Sequence, residues 1–145
     1  VVCVKPGQRG HVFYRLRIHR GRKNERRSLS EDDYATLITA AHHQLHAPII
    51  LIWDGVNTHT SALMRQFTTN RAWLTVVQLP AYAPDLNPVE SLWSTLKAGL
   101  GNLAVDGVDH LAAIIRTRIK RIQYRPDLIP GFLTQTELSL EPEPP

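Results

Sequence analysis

Ile49-Ile50-Leu51-Ile52-Trp53-Asp54-Gly55 is a run of five apolar residues ended abruptly by a carboxylate. A continuous apolar run this short is predicted to be a strand buried on both faces, as in a parallel sheet with helices on either side. A carboxylate is costly to bury without a partner or a metal. Open α/β sheets hold their ligands beyond the carboxyl ends of the strands, which is where Asp54 stands. A polar loop with Gly55, Asn57 and His59 follows it. Asp-Gly is also a common turn, and an aspartate there can simply cap the next helix. The residues by themselves leave both readings open.

Upstream of this run, Ser30 is placed to cap a helix with Glu31, Asp32 and Asp33 in its first turn and Tyr34, Leu37, Ile38, Ala41 and Leu45 at helical spacing. Pro48 closes it. His42, His43 and His46 read as surface residues of that helix rather than ligands. Further upstream, Val1 to Val4 and residues 11–19 have β-forming composition around the turn formers Pro6, Gly7 and Gly10, so a hairpin is expected, with Tyr14, Leu16 and Ile18 on one side. Downstream, residues 60–70 suit a short helix with Leu63, Met64 and Phe67 on one side, and Trp73 to Leu79 suits another strand. Strand, helix and strand in that order predict a parallel crossover. A helix with Val89, Leu92, Trp93 and Leu96 on one face, a last helix over about 108–124 and a loose acidic, proline-ending tail over 131–145 complete the reading. Residues 1–130 are thus expected to be one α/β domain.

The single cysteine, Cys3, excludes an internal disulfide and a thiolate metal cluster, which fits a reducing, intracellular setting. No stretch approaches the roughly 18 apolar residues of a membrane span. The chain starts at Val1 without an initiator Met, which reads as a fragment of a longer chain or a start codon other than ATG. The net charge of +4 is unevenly spread. Residues 1–30 hold nine Lys or Arg, among them Arg20, Arg22, Lys23, Arg26 and Arg27, against Glu25 alone. A second cluster, Arg116, Arg118, Lys120, Arg121 and Arg125, contains no acid. Clustered cations suit a phosphate backbone, because each contact releases condensed counterions; a solvated basic surface is the alternative.

A second segment is more specific. Leu79-Pro80-Ala81-Tyr82-Ala83-Pro84-Asp85-Leu86-Asn87-Pro88-Val89-Glu90 has too many prolines for regular structure and leads into a helix. Asn87 as N-cap, Pro88 as first helical residue and Glu90 as the third make a capping arrangement. Glu90 alone would therefore be read as structural. Paired with Asp54, it becomes one of two carboxylates at element ends, hard oxygen ligands of the kind that hold divalent cations.

This segment is similar to the Leu-Pro-x-Tyr-x-Pro-x-Leu-Asn-Pro-x-Glu signature of the mariner-like DDE transposases of bacterial insertion sequences. Ile50 to His59 resembles that family's apolar strand, catalytic Asp and downstream His, and Trp93 and Lys97 also match. The 35 residues between Asp54 and Glu90 agree with its spacing of second and third acidic ligands. The resemblance implies a ribonuclease-H-like mixed sheet with flanking helices. It also implies two Mg2+ or Mn2+ ions held by an Asp, Asp, Glu triad for phosphodiester cleavage and strand transfer. Asp54 and Glu90 map onto the second and third members. The first does not map, so the first, central strand is expected to be missing and the chain to be an N-terminally truncated, inactive catalytic domain. Asp32 and Asp33 sit at a helix start and are not assigned to the triad. Gly55 replaces the family's usual Asn.

Asn57, His59 and Asn87 are expected to support the site. Arg20, Arg22, Lys23, Arg26, Arg27, Lys97, Arg116, Arg118, Lys120 and Arg121 are expected to meet DNA, at insertion-sequence ends and target. A homodimer is allowed, no membrane partner is implied, and a bacterial, nucleoid-associated cytoplasmic location follows from the same resemblance. A non-catalytic, truncated remnant that only binds nucleic acid is the alternative. A phosphohydrolase with Asp54 as nucleophile is weaker, because the further Asp that such enzymes commonly carry two residues on is absent.

Overall fold

Ser30 and Asp33 start the first long helix by satisfying each other's backbone. The Ser30 hydroxyl accepts from the Asp33 N–H at 3.2 Å and the Asp33 carboxylate accepts from the Ser30 N–H at 2.9 Å. The resulting helix, α1, spans Glu31–Leu45 and ends at His46, whose φ of 48° turns the chain through the left-handed region. In this computed structural model, which describes residues 1–55, 58–80, 83–101 and 103–136, the chain divides into two compact units. One is Arg26–Ala83; the other is Val1–Glu25 with Pro84–Pro145.

The Arg26–Ala83 unit is built on a parallel pair of strands, β3 (Ile49–Trp53) and β4 (Leu74–Gln78), joined through α2 (Ala62–Thr69). Ile49 lies opposite Leu74 and Trp53 opposite Gln78, so the ladder is in register along both strands. Leu51, Trp53 and Leu74 point to one face, where Ile38 of α1 and Met64 of α2 close a core. The expectation of a strand buried on both faces does not hold. Ile50 is 70% exposed, Ile52 42% and Val77, the register partner of Ile52, 48%. The reason is that α1 and α2 cover only one side of this two-stranded ladder, and period-two alternation sends every second apolar residue to the other. Leu63 of α2 is likewise exposed, while Met64 is buried.

The other unit opens with a short antiparallel ladder, β1 (Val2–Cys3) against β2 (His11–Val12), around a turn at Gly7. The strand expected over residues 11–19 stops at Val12 because β1 offers only two residues to pair with. Val12 joins a core with Leu92 and Leu96 of α3 (Pro88–Lys97), Ile119 and Ile122 of α4 (Gly107–Gln123), and Ile129 and Phe132 of α5 (Ile129–Thr134). The Gln123 side-chain amide donates to the Val12 carbonyl at 2.7 Å, tying α4 to β2. A Cβ on Gly10 would stand 2.8 Å from Ile129, so the close approach of the hairpin to α5 requires glycine there. Trp93, expected beside Leu92 and Leu96, is 43% exposed. Residues 131–136, expected to begin a loose tail, continue instead as α5 and the following turn, with Phe132, Leu133 and Thr136 buried. Residues 137–145 lie outside the described residues. The protein is thus mixed α/β, with five α-helices and two small ladders among the described residues.

Candidate functional site

Asp54 stands immediately after β3, where the ladder ends and the chain must leave the sheet. Its side chain is about half exposed, yet Oδ1 is buried and has no hydrogen-bond partner among the described residues. Nδ1 of His59 is 2.9 Å from that oxygen and 3.2 Å from the main-chain oxygen of Asp54. The first contact has the distance of an ion pair but not the alignment of a hydrogen bond, and the second has both. A carbonyl oxygen can only accept, so the ring must carry its proton on Nδ1 to make it.

The His59 ring is held on two sides. It stacks on Trp53 at 4.5 Å between centroids and 2° between planes, and Tyr34 of α1 meets it edge-on at 4.8 Å and 84°. Its side chain is only 13% exposed. Burial, and then the negative charges of Asp54 and Asp33, push the Tyr34 hydroxyl above its usual pKa, so it is a neutral donor and acceptor at ordinary pH. Gly55 has a local cause as well: a Cβ there would meet the Gln78 side-chain amide at 2.9 Å. Asn57 lies outside the described residues.

Glu90 is the third residue of α3. Asn87 caps the helix through Oδ1, which accepts from the Val89 N–H at 3.2 Å, while the Glu90 N–H donates to the Asn87 carbonyl at 3.0 Å. The carboxylate of Glu90 itself is exposed and makes no hydrogen bond or ion pair among the described residues, so it does not complete the capping arrangement. It lines an open polar cleft of about 330 Å³ with Asp85, Asn87, Ser91, Ser94 and Gln135. Asp54 and Glu90 belong to different units of the chain. Within either unit, no three His, Cys, Asp or Glu side chains among the described residues gather as a ligand set.

The basic residues sort by what they already touch. Arg20 pairs with Asp109, and Arg26 lies 3.4 Å from Glu31. Arg118 donates to the carbonyls of Leu96, at 3.1 Å, and Gly99, closing the carboxyl end of α3. Arg22, Lys23, Arg27, Lys97, Arg116, Lys120 and Arg121 are exposed, and their side chains make no ion pair among the described residues, Arg22 meeting Glu25 through its backbone N–H. Sequence reasoning missed the ring pair around His59 and the clasp by Arg118. Tyr34 and Trp53 read only as core positions, and Arg118 only as one more cation in a basic cluster. His42, read as a surface residue, is half-buried and stacks on Trp73 at 3.9 Å and 3°, a packing role.

No helix among the described residues is long and apolar enough to cross a membrane. The family described as DDE superfamily endonuclease matches residues 18–112, which include Asp54 and Glu90. No curated protein and no solved structure matches the chain.

Proposed function

The chain belongs to the DDE superfamily endonucleases, and from that premise we propose that it is catalytic-domain material of a mariner-like, insertion-sequence DNA transposase. The observation that carries this reading is the half-exposed carboxylate of Asp54 at a strand's carboxyl end, with Oδ1 buried beside His59 and accepting no hydrogen bond among the described residues. A carboxylate so placed, with one oxygen held inward, has the other free to meet a hard divalent cation such as Mg2+ or Mn2+. Asp54 and Glu90 are the residues that would hold it. Such an ion, when bound, lowers the pKa of water or a hydroxyl and stabilises the leaving oxygen of a phosphodiester.

The remaining work falls to this chain's own groups. His59 fixes the strand end, Asn87 launches the helix that presents Glu90, and the unpaired cations at 22, 23, 27, 116, 120 and 121 take phosphates of transposon-end and target DNA. The mixed α/β elements fit a ribonuclease-H-like domain. No acid in the 145 residues matches the first carboxylate of the family's triad, so we expect the chain alone to bind metal and DNA without nicking DNA or joining strands. Nucleoid association and pairing with a second copy belong to the same reading.

The test is a Mn2+ titration of wild type, Asp54→Ala and Glu90→Ala, with a nicking assay alongside. The expected result is binding that both substitutions weaken, and no nicking by any of the three. Unchanged Mn2+ affinity in both variants would overturn the metal reading. The unpaired cations would then favour the second reading, a remnant that only binds nucleic acid.

A further inference from the structure

We propose that His59 is a positioning residue for Asp54, held in a single orientation and tautomer by the rings of Trp53 and Tyr34, so that one carboxylate oxygen is fixed inward and the other is presented outward. The inference rests on the reading of Asp54 as a metal ligand, and it adds which residues set that ligand's geometry. Four observations converge. Trp53 is the last residue of β3 and buried, so its indole is a fixed platform. The His59 ring lies parallel on it at 4.5 Å, a separation and geometry at which stacking is favourable. Tyr34, anchored in α1, blocks the ring's edge at 4.8 Å, so the imidazole cannot swing off the indole without displacing it. Nδ1 then faces Asp54, at 3.2 Å from its carbonyl and 2.9 Å from Oδ1.

The geometry divides the two carboxylate oxygens. Oδ1 is buried against the imidazole, while the side chain as a whole is 49% exposed, so the exposure lies on atoms other than Oδ1. A carboxylate on a freely rotating side chain offers either oxygen in many directions. One fixed on its inner side offers the outer oxygen in one. Groups that orient a ligand in this way typically change metal affinity by about 10- to 100-fold when removed.

The experiment uses the full 145-residue chain, with Mn2+ alone as probe, and has one arm that needs no metal. In the metal-free protein, ¹⁵N shifts of the His59 ring are expected to show a proton on Nδ1. A ring protonated on Nε2 alone overturns the proposal whether or not metal binds. His59→Phe keeps the stack on Trp53 and loses the N–H. We expect it to weaken Mn2+ binding about tenfold while the melting temperature stays close to wild type. His59→Asn, which restores a donor near the Nδ1 position without the ring, is expected to recover part of that affinity. Wild-type affinity in His59→Phe overturns the proposal. So does a parallel loss of melting temperature and affinity that His59→Asn leaves uncorrected, since that pattern marks packing alone. Asp54→Ala separates the two levels: undiminished Mn2+ affinity in that variant removes Asp54 as a ligand, and the tautomer then decides the His59 contact by itself.

Discussion

Nδ1 of His59 approaches Oδ1 of Asp54 to 2.9 Å, yet that oxygen accepts no hydrogen bond, because the imidazole N–H is aligned with the main-chain oxygen of the same residue. The inner oxygen is therefore left without a hydrogen bond among the described residues. A buried acceptor left unpaired costs about 1–3 kcal/mol. We expect Asp54→Ala in metal-free buffer to be neutral or more stable than wild type by roughly 1 kcal/mol in urea unfolding. Mn2+ should raise the melting temperature of wild type and leave the variant where it was. A loss of about 2 kcal/mol or more, the size expected for breaking a satisfied buried network, would show that Oδ1 has a partner after all.

Glu90 and Asn87 should separate in the opposite sense. Glu90 is exposed and contributes no cap, so Glu90→Ala is expected to change stability by less than about 0.5 kcal/mol. Asn87→Ala removes the hydrogen bond to the Val89 N–H and should cost about 1 kcal/mol. Urea unfolding of both variants checks the order, and a Glu90→Ala loss as large as that of Asn87→Ala would reinstate Glu90 as a capping residue.

DNA binding should follow the unpaired cations, not the total of basic residues. Neutralising Arg22, Lys23 and Arg27 together is expected to flatten the dependence of log K on log salt by up to about three, close to one for each phosphate no longer neutralised. Removing Arg20 and Arg26, which face Asp109 and Glu31, should flatten it less. Arg118→Gln should leave the slope alone and lower stability by about 1 kcal/mol, because its guanidinium closes the end of α3. Gly99→Ala, whose Cβ would stand 2.5 Å from that guanidinium, should do the same. Salt titrations by fluorescence anisotropy would expose an error if Arg118→Gln proved the steepest loss of binding.

The uncovered side of the β3–β4 ladder makes a prediction about solubility. Ile50→Thr with Val77→Thr should raise the concentration at which the chain precipitates while changing stability by less than about 1 kcal/mol, since both side chains face water. Leu51→Ala, on the buried face, should cost about 2–5 kcal/mol. Light scattering and urea unfolding distinguish the faces; equal losses would mean both are packed.

Acid should release the loop at Arg20–Glu25 only after it has protonated ordinary glutamates. The Arg22 N–H, at 3.0 Å, and then the Arg20 N–H, at 2.8 Å, hold Glu25 below the usual glutamate pKa. A folded pKa that is depressed contributes stability present above the unfolded value and lost as pH falls through the folded one. The amide shifts of Arg20 and Arg22 should therefore move together, with a midpoint below that of a free glutamate. Independent midpoints would argue that Glu25 does not hold them.

Much of the α/β order was legible because its signals are local. Ser30 with Asp33, Asn87 with Pro88 and the apolar run before Asp54 each state an element boundary within a few residues. What was not legible depends on partners distant in sequence. The run at 49–53 is compatible with one covered face or two, and only the neighbours of the strand decide which. Residues 11–19 have strand composition, but a ladder extends no further than its partner, and β1 has two residues. Gly131 to Thr136 read as loose because the acidic, proline-ending composition that follows outweighed Phe132 and Leu133, and no local pattern states that Phe132 packs with Leu92 and Ile122. At the candidate site the carboxylates stood out as polar residues at element ends. The rings that fix His59 did not, since Tyr34 and Trp53 look like any other core residues.

The division of the chain also fixes an order of events during synthesis. The Arg26–Ala83 unit is continuous, and its strands need only the span from Ile49 to Gln78, so it can close while translation proceeds. The unit around Val12 cannot. Its carbonyl waits for Gln123, 111 residues later, and its side chain for Phe132. At ribosomal speeds that delay is on the order of 5–20 s, during which the β1–β2 hairpin has its apolar side uncovered. Until α5 is made, the Arg26–Ala83 unit can close while Val12 still lacks the partners that bury it, so the two units differ in how much of the chain each must wait for.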